Sequence, residues 1–143
     1  MIKLKDLLFE SHNDSDDTAG ILYFYCDEVL LCQGENSGKW NAPKGHIIIG
    51  EEPLQGALRE FTEETQIVFN DIPNPKLAKT YKKDNGGKFY LYVLKGKTKF
   101  NARIDHEHSD WGYFNVNGLP KPIDKWAKEV IKNEKSSTSE LVS

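Results

Sequence analysis

One helix constrains this chain more than any other stretch of it. Glu52-Pro53 places a proline in the first helical turn, where its missing N–H costs nothing, and the pattern that follows predicts a helix to about Thr65. Taking Arg59 as the origin and about 100° per residue, Glu63, Glu60 and Glu64 fall at roughly 40°, 100° and 140°. Ala57, Phe61, Leu54, Thr65 and Leu58 fall at roughly 160° to 260°. One face is apolar and has to be covered by another layer. The adjoining face carries three carboxylates and a guanidinium.

Most charged helix faces are simply solvated, but this one is poorly arranged for that purpose. Glu60 and Glu64 are like charges at i,i+4, which disfavours the helix by about a few tenths of a kcal/mol. Glu63 and Glu64 sit at the C-terminal end, where the macrodipole disfavours anions by about 0.3–1 kcal/mol each. A face tuned for stability would carry Lys there. The pattern makes sense if a cation occupies it. A hard divalent ion prefers oxygen ligands, and Mg²⁺ takes one or two carboxylates together with waters and substrate phosphates. No His or Cys shares the face, which argues against zinc.

The 143 residues have the length of one domain. Thr18–Cys26 and Val29–Gln33 predict a hairpin turning at Asp27-Glu28, and Trp40 to Ile49 holds short extended pieces around Pro43-Lys44-Gly45. Ile67-Val68-Phe69 reads as a short strand. Lys76–Lys83 and Lys88–Lys95 flank Asp84-Asn85-Gly86-Gly87, a strong hairpin signal. Trp111 to Asn115 predicts another strand and Asp124 to Glu134 a second helix. Helices and hairpins in this order predict an α+β sandwich rather than a regular βαβ alternation. The expected domain spans residues 18–135. It follows an N-terminal extension, residues 1–17, that ends in an acidic linker, and it precedes a flexible tail, residues 136–143.

Net charge is −3, from 19 basic and 22 acidic residues, so non-specific binding to a polyanion is not the default. A protein of this charge that handles phosphates needs a local cationic device, and a metal ion is one. No apolar run approaches the roughly 20 residues of a membrane span. The opening Met1-Ile2-Lys3-Leu4-Lys5-Asp6 lacks a secretory core, so a cytoplasmic protein with no membrane partner is expected. Cys26 and Cys32, without C-x-x-C spacing, read as reduced, mostly buried thiols.

Gly45-His46-Ile47-Ile48-Ile49-Gly50-Glu51, then seven residues, then Arg59-Glu60-Phe61-Thr62-Glu63-Glu64-Thr65-Gln66-Ile67, resembles the Nudix box, G-x5-E-x7-R-E-U-x-E-E-x-G-U with U a bulky apolar residue. Every fixed position matches except the last glycine, which is Gln66 here. Glycine would end the helix with positive φ; Gln in that conformation costs about 1 kcal/mol, or the helix ends differently. The resemblance implies a Nudix-type α/β/α sandwich with a mixed sheet between helices. It also implies a Mg²⁺- or Mn²⁺-dependent hydrolase of nucleoside diphosphates linked to another group. Glu60 and Glu64 would then be the main metal ligands, and Glu63 a further ligand or the general base. The Gly45 carbonyl would complete the site. Arg59 would hold the glutamates in place, with Glu51 paired to it.

Trp40-Asn41-Ala42-Pro43-Lys44-Gly45-His46 is similar to the W-x-L-P-K-G-H entry of Nudix enzymes that act on dinucleoside polyphosphates and on inositol pyrophosphates, with Ala42 in place of leucine. Trp40, Lys44 and His46 are therefore candidate substrate contacts. Lys44 reads equally as a point charge for phosphate and as an exposed loop lysine. His46 also reads as a hydrogen bonder that orders the loop. Glu107 stands where many Nudix proteins carry a Glu before an aromatic strand; it is a candidate extra ligand or base, with a plain surface glutamate as the alternative. Tyr81 can stack on a base, though core packing is the commoner fate of such a residue. Gly34-Glu35-Asn36-Ser37-Gly38-Lys39-Trp40 is one residue too short between its glycines for a phosphate-binding P-loop.

These features lead to a pyrophosphohydrolase that cleaves a dinucleoside polyphosphate, ADP-ribose or an NAD-like compound into two phosphate monoesters. The alternatives are a Nudix module that binds a nucleotide or an RNA 5′ end without turnover, and an RNA decapping enzyme. The expected partner is a small nucleotide substrate, with an RNA 5′ end as a second class. The sequence does not choose between monomer and homodimer.

Overall fold

A computed structural model describes residues 14–69, 71–102 and 108–142. Along the chain it forms β1 (Asp14–Tyr25), β2 (Glu28–Gly34), β3 (Trp40–Asn41), β4 (Lys44–Ile48), α1 (Pro53–Thr65), β5 (Lys76–Lys82), β6 (Lys88–Gly96), β7 (His108–Asn115) and α2 (Lys125–Val142).

Alternation in β1 explains the layering. Ala19, Ile21 and Tyr23 point to one face of the sheet and pack with Leu30, Ile47, Ala57, Phe61 and Ile67 beneath α1. Leu22 and Phe24 point to the other face and pack with Val29, Leu31, Leu91, Ala127, Val130 and Ile131 beneath α2. The result is the expected α+β sandwich, with one mixed sheet between two helices.

The central strands are splayed. β1 pairs β6 in parallel from Thr18 to Tyr25. On its other edge it pairs β2 only at the hairpin end, Tyr23–Tyr25 against Leu30–Glu28. Nearer its start β1 pairs β4 instead, with Thr18 opposite His46, Ala19 opposite Gly45 and Gly20 opposite Lys44. β2 likewise pairs β3 beyond its contact with β1, and β7 along its other edge. β3 and β4 thus sit in the opening between two strands that diverge. Gly20 permits this, because a Cβ there would press on Lys44 Cβ at 2.9 Å and the Pro43 carbonyl at 3.0 Å.

α1 begins and ends by local devices. The Glu52 amide donates to Gln55 Oε1 at 3.1 Å. At the far end Gln66 takes the left-handed conformation, φ 59°, and its amide donates to the Thr62 carbonyl at 2.7 Å. The helix therefore keeps the termination that glycine would have given it, with a residue that fits it less well. Replacing Gln66 by Gly is expected to raise stability by about 0.5–1 kcal/mol, read as a higher midpoint in urea with an unchanged slope.

Four expectations differ from the structure. The first hairpin turns at Cys26-Asp27, one residue earlier than read, with Cys26 at φ 52° and exposed rather than buried. Asp14–Asp17, read as linker, is the start of β1: Ser15 Oγ donates to the Ile47 carbonyl at 2.8 Å, so β4 recruits this polar stretch. Ile67-Val68-Phe69 forms no strand; Ile67 and Phe69 instead pack beside Phe61 under α1. The tail read from residue 136 continues α2 to Val142. A short helix over residues 1–10, expected because Leu4, Leu7 and Leu8 share a face, lies outside the described residues. No helix among those described is long and apolar enough to cross a membrane.

Candidate active site

α1 lays its apolar face on the sheet with its acidic face against β4. Glu60 and Glu64 are 1% and 2% exposed, which no solvated stripe would be. The Glu60 carboxyl lies over Gly45: a Cβ there would overlap its carboxyl carbon and both oxygens. Glu64 Oε2 accepts the Lys44 amide at 2.7 Å. Glu51 Oε1 accepts the Ile48 amide at 3.0 Å, so helix and box carboxylates bind the outer edge of β4.

Arg59 ties the group together. Its Nε donates to Glu51 Oε2 at 2.9 Å and one terminal nitrogen to Glu51 Oε1 at 3.0 Å, a bidentate pair. That nitrogen also donates to the His46 carbonyl at 2.9 Å. The other reaches Glu60 Oε1 at 2.8 Å and Glu63 Oε1 at 3.3 Å. Burial would lower the Arg59 pKa, but the bonds and charges of Glu51 and Glu60 hold it above its ordinary value. Three carboxylates bond one guanidinium, and one of them, Glu60, is almost wholly removed from water, as is Glu64 beside the Lys44 amide. Buried carboxylates are stable when paired or when they ligate a metal.

The donor set is all oxygen, which fits a hard divalent ion, and the side-chain-free Gly45 leaves the room that a ligand carboxylate needs. In this structure the carboxylates engage Arg59 and backbone amides, and among the described residues no three His, Cys, Asp or Glu already converge as a metal cluster.

The sequence-derived site residues divide into four groups. Glu60, Glu63, Glu64, Arg59 and Gly45 come together, and Lys44 lies beside them, lining a cavity with Glu64. His46 serves as a loop tether, its Nδ1 within 3.2 Å of the Ser15 carbonyl. Trp40 and Tyr81 are not brought to this group. Trp40 is buried edge-on against Phe114 at 4.8 Å in the α2-side core. Tyr81 stacks on Trp126 at 4.6 Å in the same core, with its hydroxyl donating to Glu129. Burial and that carboxylate push the Tyr81 hydroxyl above its ordinary range. Glu107 lies outside the described residues.

Sequence reasoning missed Ser37, Lys39, Asn41 and Asp124, which line the cavity of about 340 Å³ beside Lys44 and Glu64. Asp124 was legible as a helix cap, and it accepts the Trp126 and Ala127 amides at 3.0 and 3.1 Å. Its nearness to Glu64 comes from tertiary bonds, Asp124 N to the Trp40 carbonyl at 2.8 Å and Trp40 N to the Pro122 carbonyl at 2.9 Å.

The NUDIX domain profile matches residues 14–133. The chain belongs to the Nudix family. It is 28% identical over 104 residues to the asymmetrical bis(5′-nucleosyl)-tetraphosphatase of Caenorhabditis elegans, covering 68% of this chain and 74% of that protein. It is 29% identical over 119 residues to an RNA pyrophosphohydrolase of Bartonella quintana, covering 68% and 69%. The fold matches a C. elegans Ap4A hydrolase complex with a TM-score of 0.69 at 22% identity, over 86% of this chain and 98% of that one. It also matches the E. coli dihydroneopterin triphosphate pyrophosphohydrolase with a TM-score of 0.70 at 16% identity, over 84% and 94%. As a Nudix hydrolase the protein is a pyrophosphohydrolase, and β1 from Asp14 belongs to the matched domain.

Proposed function

We propose that this Nudix hydrolase uses Mg²⁺, or Mn²⁺, to cleave a nucleoside diphosphate linked to another moiety into two phosphate monoesters. The observation that carries the reading is the burial of Glu60 and Glu64, with Arg59 bonded to Glu60 and Gly45 leaving space for its carboxylate. Dinucleoside polyphosphates come first, supported by the Lys44-Gly45-His46 entry and by the tetraphosphatase relative. ADP-ribose and NAD-like compounds follow.

Glu60, Glu64 and the Gly45 carbonyl would hold the ion. When bound, it neutralises the charge of the diphosphate and makes phosphorus more electrophilic. The protein's own residues do the rest. Arg59 fixes the glutamates by bonds to Glu51, Glu60 and Glu63. Glu63, partly exposed at the rim, accepts the proton of the attacking water, unless Glu107 holds that role. Lys44 meets a phosphate oxygen. The leaving phosphate needs little protonation, because it departs as a stable anion.

A second reading, action on RNA 5′ ends, is favoured by the RNA pyrophosphohydrolase relatives. Either activity belongs in the cytoplasm. Incubation with Mg²⁺ and a panel of ADP-ribose, NAD⁺, diadenosine tetraphosphate and a 5′-triphosphorylated oligoribonucleotide separates these readings by product chromatography. Turnover of at least one substrate is expected, abolished by EDTA and restored by Mg²⁺ or Mn²⁺. Absence of turnover across the panel would overturn the enzyme reading.

A further inference from the structure

The helix on the other side of the sheet has a charged face of its own. Taking Lys125 as the origin and about 100° per residue, Lys128, Lys132 and Lys135 fall at roughly 300°, 340° and 280°. The four lysines share one stripe about 80° wide that rises about 15 Å along α2. All four are exposed. Ala127, Val130 and Ile131 point the other way, into the core.

This stripe works against its own helix. Lys128 and Lys132 stand at i,i+4, and Lys125 with Lys128 and Lys132 with Lys135 at i,i+3, spacings at which like charges disfavour a helix. Lys125 occupies the first turn, where the macrodipole favours an acid, and α2 carries no acid there. The acids that α2 does carry are drawn elsewhere. Glu129 accepts from Lys79 Nζ at 2.9 Å and from the Tyr81 hydroxyl, and Glu134 pairs with Lys95 at 3.2 Å. Among the described residues no carboxylate pairs with any of the four lysines. A chain of net charge −3 has thus set four cations side by side, which an extended anion would offset.

The start of the stripe narrows the choice of anion. Asp124, the residue before Lys125, lines the cavity that Glu64 and Lys44 also line. A polyanion with its end in that cavity leaves it at the head of the stripe. A small nucleotide carries its phosphates in one block, at the carboxylates. A nucleic acid strand carries one charge per residue, about 3.4 Å apart when stacked, so about four of them span the stripe. A membrane-binding helix would insert apolar side chains, and those of α2 are buried in the core.

We propose that the lysine stripe of α2 binds the backbone of single-stranded RNA whose 5′ end lies in the cavity, a hold that a small nucleotide lacks. The proposal rests on the second reading above, action at RNA 5′ ends, but its binding test needs no turnover.

Fluorescence anisotropy with a labelled, 5′-monophosphorylated oligoribonucleotide of twelve residues reads the stripe directly, because this probe has no anhydride to cut. Replacing both Lys128→Met and Lys132→Met is expected to weaken binding about tenfold at roughly 50 mM salt and to reduce the salt slope by about 1 to 2. The double variant should melt no lower than wild type, since it removes a like-charge pair. Lys97→Met, the same charge change at an exposed position outside α2, should leave the affinity unchanged. With the 5′-triphosphorylated oligomer the double variant should raise KM and keep kcat, while kinetics with diadenosine tetraphosphate stay as in wild type. An unmoved affinity in the double variant, or an equal loss in Lys97→Met, would overturn the proposal even if the substrate panel shows turnover. So would loss of binding to phosphatidylserine vesicles with RNA affinity intact, which would assign the stripe to a membrane surface. A panel without turnover, together with RNA binding that the double variant loses, would sink the enzyme reading and keep the stripe.

Discussion

Glu64→Gln is expected to lower kcat roughly 10³-fold, about 4 kcal/mol of transition-state stabilisation, while the protein stays folded. Two contributions of this side chain separate in that variant. The charge that would hold a divalent ion is removed. The acceptor that holds the Lys44 amide at 2.7 Å survives, because the Gln carbonyl can take the same bond. The apolar packing of Ala57 and Phe61 on the same helix is untouched. Kinetics at saturating Mg²⁺, with a thermal melt of both proteins, check the split. A variant that turns over within a few-fold of wild type would remove Glu64 from the metal site.

Gly45→Ala attacks the same site from the other side, and its expected effect is next in size. The added Cβ would occupy the position of the Glu60 carboxyl group. β4 cannot withdraw, because it pairs with β1 on one edge, with Gly45 opposite Ala19, and is bound on its outer edge by Glu51 and Glu64. The carboxylate must therefore swing away, breaking its 2.8 Å bond to Arg59. Activity should fall roughly 100-fold, the scale of losses from misplacing catalytic groups by about 1 Å. Stability should fall less than activity, by about 1–3 kcal/mol, since the displaced atoms are the end of a flexible side chain. The measurement is kcat/KM alongside urea unfolding. A large loss of stability with normal specific activity of the folded fraction would contradict the placement of Glu60.

The acidic face was legible because its charges conflict with its own local stability. Glu60 and Glu64 at i,i+4 and glutamates at a helix C-terminus make no sense on a free helix, and that conflict is what a sequence can display. The 84–87 hairpin was legible for the opposite reason, its turn residues agreeing with both flanking strands. Trp40 was a candidate contact through its motif and Tyr81 a residue that could stack on a base or, more commonly, pack in the core; neither a motif nor a hairpin signal says which side of the sheet a side chain meets. Both turned out to pack beneath α2, away from the carboxylates. Asp14–Asp17 looked like a linker because its ordering comes from β4, far away in sequence, through the bond from Ser15 to Ile47. The cavity residues Lys39, Asn41 and Asp124 were beyond reach for the same reason: a turn, a short strand and a helix cap meet only after the fold closes.

The outer edge of β4 has no neighbouring strand among the described residues, and side chains from the Nudix box take that place, Glu64 receiving one amide and Glu51 another. The scaffold and the proposed reaction centre are therefore partly the same atoms. A descendant of this protein that gave up hydrolysis to become a sensor would not be free to discard position 64. It would be pushed toward a neutral acceptor of the same length, so a glutamine there in a related chain would mark lost chemistry with architecture preserved.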